Sequence, residues 1–483
     1  MSVEHVDVVI VGAGLSGVGA ACHLQKHCPA MTFTVLEGRD AIGGTWDLFR
    51  YPGIRSDSDM STLGYSFRPW DRSKSIAGGS EIRSYVADTA SEHGVDRHIR
   101  FGHRVIEADW SSDDARWTVR ARRVTDGEEV EVSCSFLFTC SGYYDYEQGY
   151  TPDFRGIDRF SGQVVHPQLW PEDLDYVGNR VVVIGSGATA VTLVPAMAET
   201  ASHVTMLQRS PTYLVTRPET DPFAARVRRT APASLADPIV RWKSIATNSY
   251  NYQKARRAPE RMKALLRKGV EMQLPGGYDI DTHFTPRYDP WDQRLCLVPD
   301  GDFFAAVREE RASVVTDHIH AFAEAGIELR SGEFLEADVI VTATGLNMLA
   351  VGGMHLTVDG VEVNIPEAVA YKGMMLSGVP NFAFTIGYIN SSWTLRAELV
   401  ARYVCHLLNH MRRRGLRTCI PLRPKASGRS PLFDLTSGYA RRGTAVMPKQ
   451  GSAAPWRMHH NFLREWLFTL RRTGSRKTGM RFS

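Results

Sequence analysis

The chain has 483 residues, 43% hydrophobic, 23% charged and 10% aromatic, a globular mix that excludes disordered, collagen-like and disulfide-scaffold classes. At about 100–200 residues per domain, two to four domains are expected. The net charge of +4 hides an uneven distribution: Ala225 to Val270 has twelve Lys and Arg against two Asp and Glu, Trp456 to Ser483 has seven against one, and the remainder is acidic by twelve charges.

Glu4 and Asp7 precede a short apolar run broken by glycines, unlike a secretory signal. Val8-Val9-Ile10-Val11 has the unbroken β-branched character of a parallel strand buried on both faces. It leads into Gly12-Ala13-Gly14-Leu15-Ser16-Gly17 and a helix-compatible stretch from Val18 to Leu24. In such a fingerprint the first glycine permits a tight turn, the second admits a diphosphate to the backbone, and the third lets helix pack on strand. N–H groups at the helix start, including that of Ser16, then face the phosphates. The next strand, Phe33 to Leu36, ends at Glu37, whose carboxylate can accept the hydroxyls of an adenosine ribose. Val105 is a further candidate contact of this nucleotide.

The same device recurs at Val181 to Ile184 and Gly185-Ser186-Gly187-Ala188-Thr189-Ala190, with Ala190 in place of the third glycine. Val181 to Ala198 is uncharged, but its two Gly, one Ser, two Thr and one Pro suit strand, turn and helix better than a membrane span. The following strand, Val204 to Leu207, ends at Gln208-Arg209-Ser210. A guanidinium and a hydroxyl there suit a ribose 2′-phosphate, which a carboxylate would repel. The first turn is therefore expected to take FAD, and the second NADPH rather than NADH. Phe136 to Gly142 and Asp338 to Gly345 read as strands that return past each nucleotide and end in small residues.

Cys22, Cys28, Cys134, Cys140, Cys296, Cys405 and Cys419 are dispersed, and the closest pairs have five residues between them. This suits reduced thiols in a cytoplasmic protein, not a redox disulfide or zinc knuckle. Residues 213–311 are rich in Arg, Lys, Trp and Tyr, and Pro218, Pro222, Pro232, Pro238 and Pro259 are expected to cut them into short helices. The basic block there reads first as a solvated face, with NADPH steering or contact with an acidic membrane surface as alternatives. In the tail, Phe462, Leu463, Trp466, Leu467 and Leu470 alternate with Arg464, Arg471 and Arg472. That basic amphipathic pattern suits docking on the core, the preferred reading, or peripheral membrane contact. No nucleic-acid motif accompanies the basic blocks.

Three stretches carry a family resemblance. Phe160-Ser161-Gly162-Gln163-Val164-Val165-His166-Pro167-Gln168-Leu169-Trp170-Pro171 resembles the fingerprint of type I Baeyer–Villiger monooxygenases. Gly43-Gly44-Thr45-Trp46, followed by Arg50-Tyr51-Pro52-Gly53-Ile54-Arg55-Ser56-Asp57, resembles their second signature, and Pro290 to Pro299 resembles the segment carrying their active-site Arg. Within these flavin-containing monooxygenases the wording is most similar to the mycobacterial ethionamide-activating subgroup.

The resemblance implies an α/β fold of two Rossmann-like domains: FAD-binding 1–148 and 376–483, NADPH-binding 149–212 and 312–375, and a helical insert, 213–311, lining the substrate cavity. It implies NADPH-consuming insertion of one oxygen atom of O2 into ketones, through a flavin peroxide, and oxidation of sulfides or thioamides. Arg294 and Asp57 match the family's catalytic pair, with Gly44, Thr45, Trp46 and Asp57 bordering the flavin. A guanidinium suits this role because it keeps its charge and offers several N–H donors to an oxyanion. His166 is expected to be structural or conformational, and Trp393 to face the nicotinamide or belong to the core. The alternatives are an N- or S-oxygenating monooxygenase without ketone activity and a flavin-bound redox sensor. A disulfide reductase would need a close cysteine pair.

Overall fold

The computed structural model describes residues 3–424, 428–433, 436–471 and 479–483. β1 (Glu4–Val11) leads through the first glycine turn into α1 (Leu15–His27) and β2 (Phe33–Leu36). Short helices α2 (Thr45–Leu48) and α3 (Met60–Leu63) and the longer α4 (Gly79–Glu92) follow. Then come β3 (Ile99–Arg100), β4 (His103–Ser111), β5 (Arg116–Arg123) and β6 (Glu129–Thr139). β1 lies between β2 and β6, parallel to both. Val8, Val9 and Ile10 have no exposure, so each face of β1 is covered, and an uninterrupted apolar run is what such a strand requires.

β7 (Tyr144–Gly149) carries the chain out to a second sheet with β8 (Gln163–Val165), β9 (Arg180–Ile184), α5 (Ala188–Met197) and β10 (His203–Gln208). Its five strands, all parallel, run in the order Ala312–Thr316, β10, β9, Val339–Thr342, β8.

The insert contains α6 (Pro222–Thr230), α7 (Ala233–Arg257), α8 (Pro259–Glu271), α9 (Ile280–Phe284) and α10 (Asp302–Arg308). Pro222 and Pro259 open helices, where a missing N–H costs nothing. Pro238 does not divide its segment: α7 runs 25 residues through it, contrary to the expected short helices. It stands near the N-terminal end, where only one turn precedes it. The insert is also not wholly helical, since Leu214–Arg217 and Cys296–Pro299 pair as a parallel ribbon.

Leu346–Met348 runs antiparallel to β7, so the outgoing and returning connections lie side by side. His355–Val358 already pairs with β4, so the chain rejoins the first sheet before residue 376. Phe382–Phe384 pairs with β6. α11 (Trp393–Arg413) packs on α1, and α12 (Gly438–Gly443) and α13 (Phe462–Arg471) complete this side. α13 docks by its polar side. Glu465 and Thr469 are buried, while Leu463, Trp466, Leu467 and Phe468 are exposed. Glu465 pairs with buried Arg396 and accepts from Tyr388 Oη (2.9 Å) and His459 N (2.9 Å). The side chains of Leu470 and Arg471, and Arg472 itself, lie outside the described residues. Among the described residues no helix is long and apolar enough to cross a membrane, and the seven cysteines are free and buried.

Candidate active site

The first glycine turn is closed by backbone. Gly12 has φ 99°, and a Cβ there would lie 2.9 Å from Cys140 O; a Cβ on Gly17 would lie 1.8 Å from Gly12 O. Neither position admits a side chain. Gly14 opens α1 without a side-chain cap, and the first turn contains no acid. The leading N–H groups of α1 are thereby left to an external acceptor. Gly14 bridges to Gly43, and a Cβ on Gly44 would lie 3.0 Å from Gly14 Cα, so the loop of Gly44, Thr45 and Trp46 sits directly on the turn. Thr45 Oγ1 lies 3.3 Å from Tyr146 Oη.

Glu37 is buried, and its carboxylate accepts from Ala13 N (2.6 Å) and Arg39 N (2.8 Å). Burial pushes its pKa up, and those two N–H groups oppose the shift. Ser16 Oγ accepts from Trp393 Nε1 (2.6 Å), and the Trp393 ring lies 5.2 Å from that of Tyr143. Trp393 therefore buttresses the first turn from within the core. Val105 is buried with Val11 and Leu36, and its backbone pairs with Ala121.

The second turn repeats the geometry. Gly185 has φ 136°, and a Cβ there would lie 2.4 Å from Ala343 O. α5 starts on Gly187 with no side-chain cap and no acid in its first turn, and a Cβ on Gly187 would meet nothing within 4 Å. Ser186 Oγ donates to Ser210 O (3.0 Å), which joins the turn to the end of β10. Arg209 is exposed and forms no ion pair or hydrogen bond among the described residues.

Arg294 and Asp57 meet between these turns, with Nη1 and Oδ2 3.8 Å apart and side chains 39% and 37% exposed. The 290–295 loop is held from two sides. Trp291, in the left-handed region at φ 74°, packs edge-on against Tyr252 of α7, and Asp292 accepts from Arg256 Nη1 (2.6 Å). Asp292 O also accepts from Thr436 N (2.9 Å). A non-glycine residue held at such a φ marks a loop fixed by its surroundings. Asp57 is fixed by its neighbours: Ser56 N donates to Ala77 O (2.9 Å), and Arg55 pairs with Asp302 at the start of α10.

Burial works against the charge on Arg294, but Tyr439, Tyr143, Tyr144 and Asp57 outweigh it and hold its pKa above the ordinary value. Its Nε has no hydrogen-bond partner among the described residues. Burial pushes the Asp57 pKa up, against the pull of Arg294 and Arg55. Cys296, two residues on, lies with its thiol 3.9 Å from Ser186 O; burial pushes that thiol up to about 12, which removes it as a nucleophile. Tyr51 shares a hydrogen bond with Thr189, and a Cβ on Gly53 would lie 2.8 Å from Thr192 O of α5. The segment from Tyr51 to Asp57 therefore packs on α5 beside the second turn, a few residues after the Gly43–Trp46 loop that sits on the first. His166 stands outside this centre. Its Nε2 lies 3.1 Å from Gly345 O, its Nδ1 accepts from Gln168 N (3.2 Å), and a Cβ on Gly149 would enter its ring.

Sequence reasoning missed the three phenols. Tyr143 and Tyr144 directly follow Gly142 at the end of β6, a local signal that could have marked them. Tyr439 is 145 positions from Arg294, and no local pattern connects the two.

A family model described as FMO-like, flavin-binding monooxygenase-like, matches residues 5–242. The chain is 52% identical over 482 residues to the FAD-containing monooxygenase EthA of Mycobacterium tuberculosis, covering 99% of this chain and 98% of EthA. It belongs to the flavin-binding monooxygenase-like family. Another member, the probable FAD-binding monooxygenase AlmA of an Acinetobacter species, is 48% identical over 95% of this chain and 93% of its own. The solved structure of an oxidized steroid monooxygenase bound to NADP shares the fold, with a TM-score of 0.78 at 23% identity over 99% of both chains. As a flavin-binding monooxygenase, this chain is an oxygen-transferring enzyme built on that family's α/β scaffold.

Proposed function

We propose that the protein is an FAD- and NADPH-dependent Baeyer–Villiger monooxygenase, converting ketones to esters or lactones and oxidising sulfides and thioamides at the same centre. Both cofactors suit the residues present. Uncapped, acid-free helix starts at Gly14 and Gly187 offer N–H groups to two diphosphates. Glu37 suits an unphosphorylated ribose beside Gly12, Ser16 and Gly17, with Gly44, Thr45, Trp46 and Val105 around the rest of FAD. Gly185, Ser186, Ala188 and Thr189 would hold the NADPH diphosphate, and Arg209 with Ser210 its 2′-phosphate. EthA is an FAD-containing monooxygenase and the steroid monooxygenase binds NADP, which supports the assignment. Bound FAD, reduced by NADPH, supplies the oxygen-activating chemistry.

The observation that carries the reading is the Arg294–Asp57 pair lying between the two turns, with Arg294 Nε unpartnered. A guanidinium held charged donates N–H to a carbonyl oxygen as negative charge gathers there during oxygen insertion. Asp57 orients it, and Tyr143, Tyr144 and Tyr439 are near enough to act on its charge. Oxidation at sulfur develops no such carbonyl oxyanion and does not require this donor.

Product analysis with 2-octanone, phenylacetone and a thioether tests the reading. Arg294→Ala is expected to lose about 100-fold or more in ester formation, while NADPH oxidation and part of the sulfoxidation persist. Undiminished ester yield from that variant overturns it.

A further inference from the structure

A cleft of 490 Å³ opens between α7 and α13, and none of the groups around Arg294 lines it. Most of its polar groups are already committed. Glu398 of α11 is buried and accepts from Ser66 N (2.9 Å), Ser66 Oγ (2.7 Å) and Arg241 Nη2 (2.7 Å), while Arg228 pairs with Asp237 at 3.1 Å. Arg402 stands one turn beyond Glu398 and lines the same cleft. It has no hydrogen bond or ion pair among the described residues, because the oxygens of Glu398 are turned to Ser66, Arg241 and His23.

The walls are apolar. Leu399 and Phe462 line the cleft, and Trp242 meets Trp466 edge-on, with centroids 6.2 Å apart. The same two helices also expose Leu235, Ile239 and Leu467. One unpaired cation in a cleft with an aromatic wall calls for a ligand with one anionic head and a long apolar chain. The volume falls within the roughly 300–1,000 Å³ of small-molecule sites. Its lining carries Arg228, Arg241 and Arg402 against Asp237 and Glu398, so the charge left over is positive and favours an anionic over a cationic head.

We propose that this cleft binds an acyl-chain anion, its head on Arg402 and its chain laid against the wall formed by Trp242, Trp466 and Phe462. The anion is supplied either as a free carboxylate or as a lipid of an anionic bilayer.

Calorimetric titration of the full-length flavin-loaded protein with dodecanoate and dodecylammonium, each below its micellar concentration, tests this directly. Dodecanoate is expected to bind saturably at one site, and dodecylammonium about tenfold more weakly or not at all. Arg402→Ala should erase the preference, with about a tenfold loss for dodecanoate, and Arg402→Lys should retain it. NADPH oxidation should be unchanged in both variants. Flotation with phosphatidylglycerol vesicles separates the sources. Binding to dodecanoate alone identifies a free acyl anion, whereas vesicle binding lost in Arg402→Ala identifies a bilayer lipid. Absence of saturable dodecanoate binding, indifference to head-group charge, or full binding by Arg402→Ala overturns the proposal.

Discussion

Arg209 and Arg294 use the same side chain in opposite settings. Arg209 is exposed and unpaired at the end of β10, where a 2′-phosphate would be its first anionic partner. Replacing it with Ala is expected to raise the KM for NADPH about tenfold and leave that for NADH unchanged, which steady-state kinetics with both nucleotides would show. Arg294 instead has a carboxylate partner already in place, Asp57, at 3.8 Å. Because burial raises the folded pKa of Asp57 above its unfolded value, the folded state binds the proton more tightly. The associated stability is present below the unfolded pKa and is lost as pH rises through the folded one. For a side chain 37% exposed this contribution is small, so Asp57→Asn is expected to leave the melting temperature at pH 7 little changed while ester formation falls. A variant that keeps its stability and loses oxygenation separates a functional carboxylate from a structural one.

The glycine turns were legible at the level of elements because their requirements are local. Gly12, Gly17 and Gly185 each face a carbonyl at a distance that excludes any Cβ, and the sequence around them repeats the same strand, turn and helix order. α13 was legible only in part. Its amphipathic pattern and its docking were expected, but the side that docks is polar, because Arg396 in the core requires Glu465 and no helical period reveals a partner 69 positions away. Tyr439 escaped for the same reason, and α7 did not break at Pro238 because only one turn precedes it there. Removing one member of a buried pair leaves an uncompensated charge, so Glu465→Ala should cost about 3–5 kcal/mol in denaturant unfolding. Double replacement of Glu465 and Arg396 by apolar residues should recover part of that loss.

At the scale of the whole molecule, the two connections between the sheets are tied together. Arg442 of α12 lies 3.3 Å over the ring of Tyr150 in the outgoing connection and donates to Leu346 O (3.3 Å) in the returning one. His166 sits against both connections at Gly149 and Gly345. Because Tyr439 stands one turn before Arg442, the helix that clamps the connections also borders Arg294. Arg442→Ala is expected to lower the ratio of oxygenated product to NADPH consumed without releasing flavin, measured by product analysis and flavin absorbance. The clamp and the Glu465 contact are both made by the last tenth of the chain, although the sheet they pack around begins with the first eleven residues and takes its last strand from Phe382–Phe384. The second sheet, assembled from residues 163–342, can close while the chain is still being synthesised. The first sheet has all its strands once Phe384 is made, but the helix layer on it is unfinished, since Arg396 waits for Glu465 to leave the ribosome. The domain started first is thus finished last, and a stalled or clipped nascent chain carries a closed second domain beside an open first one.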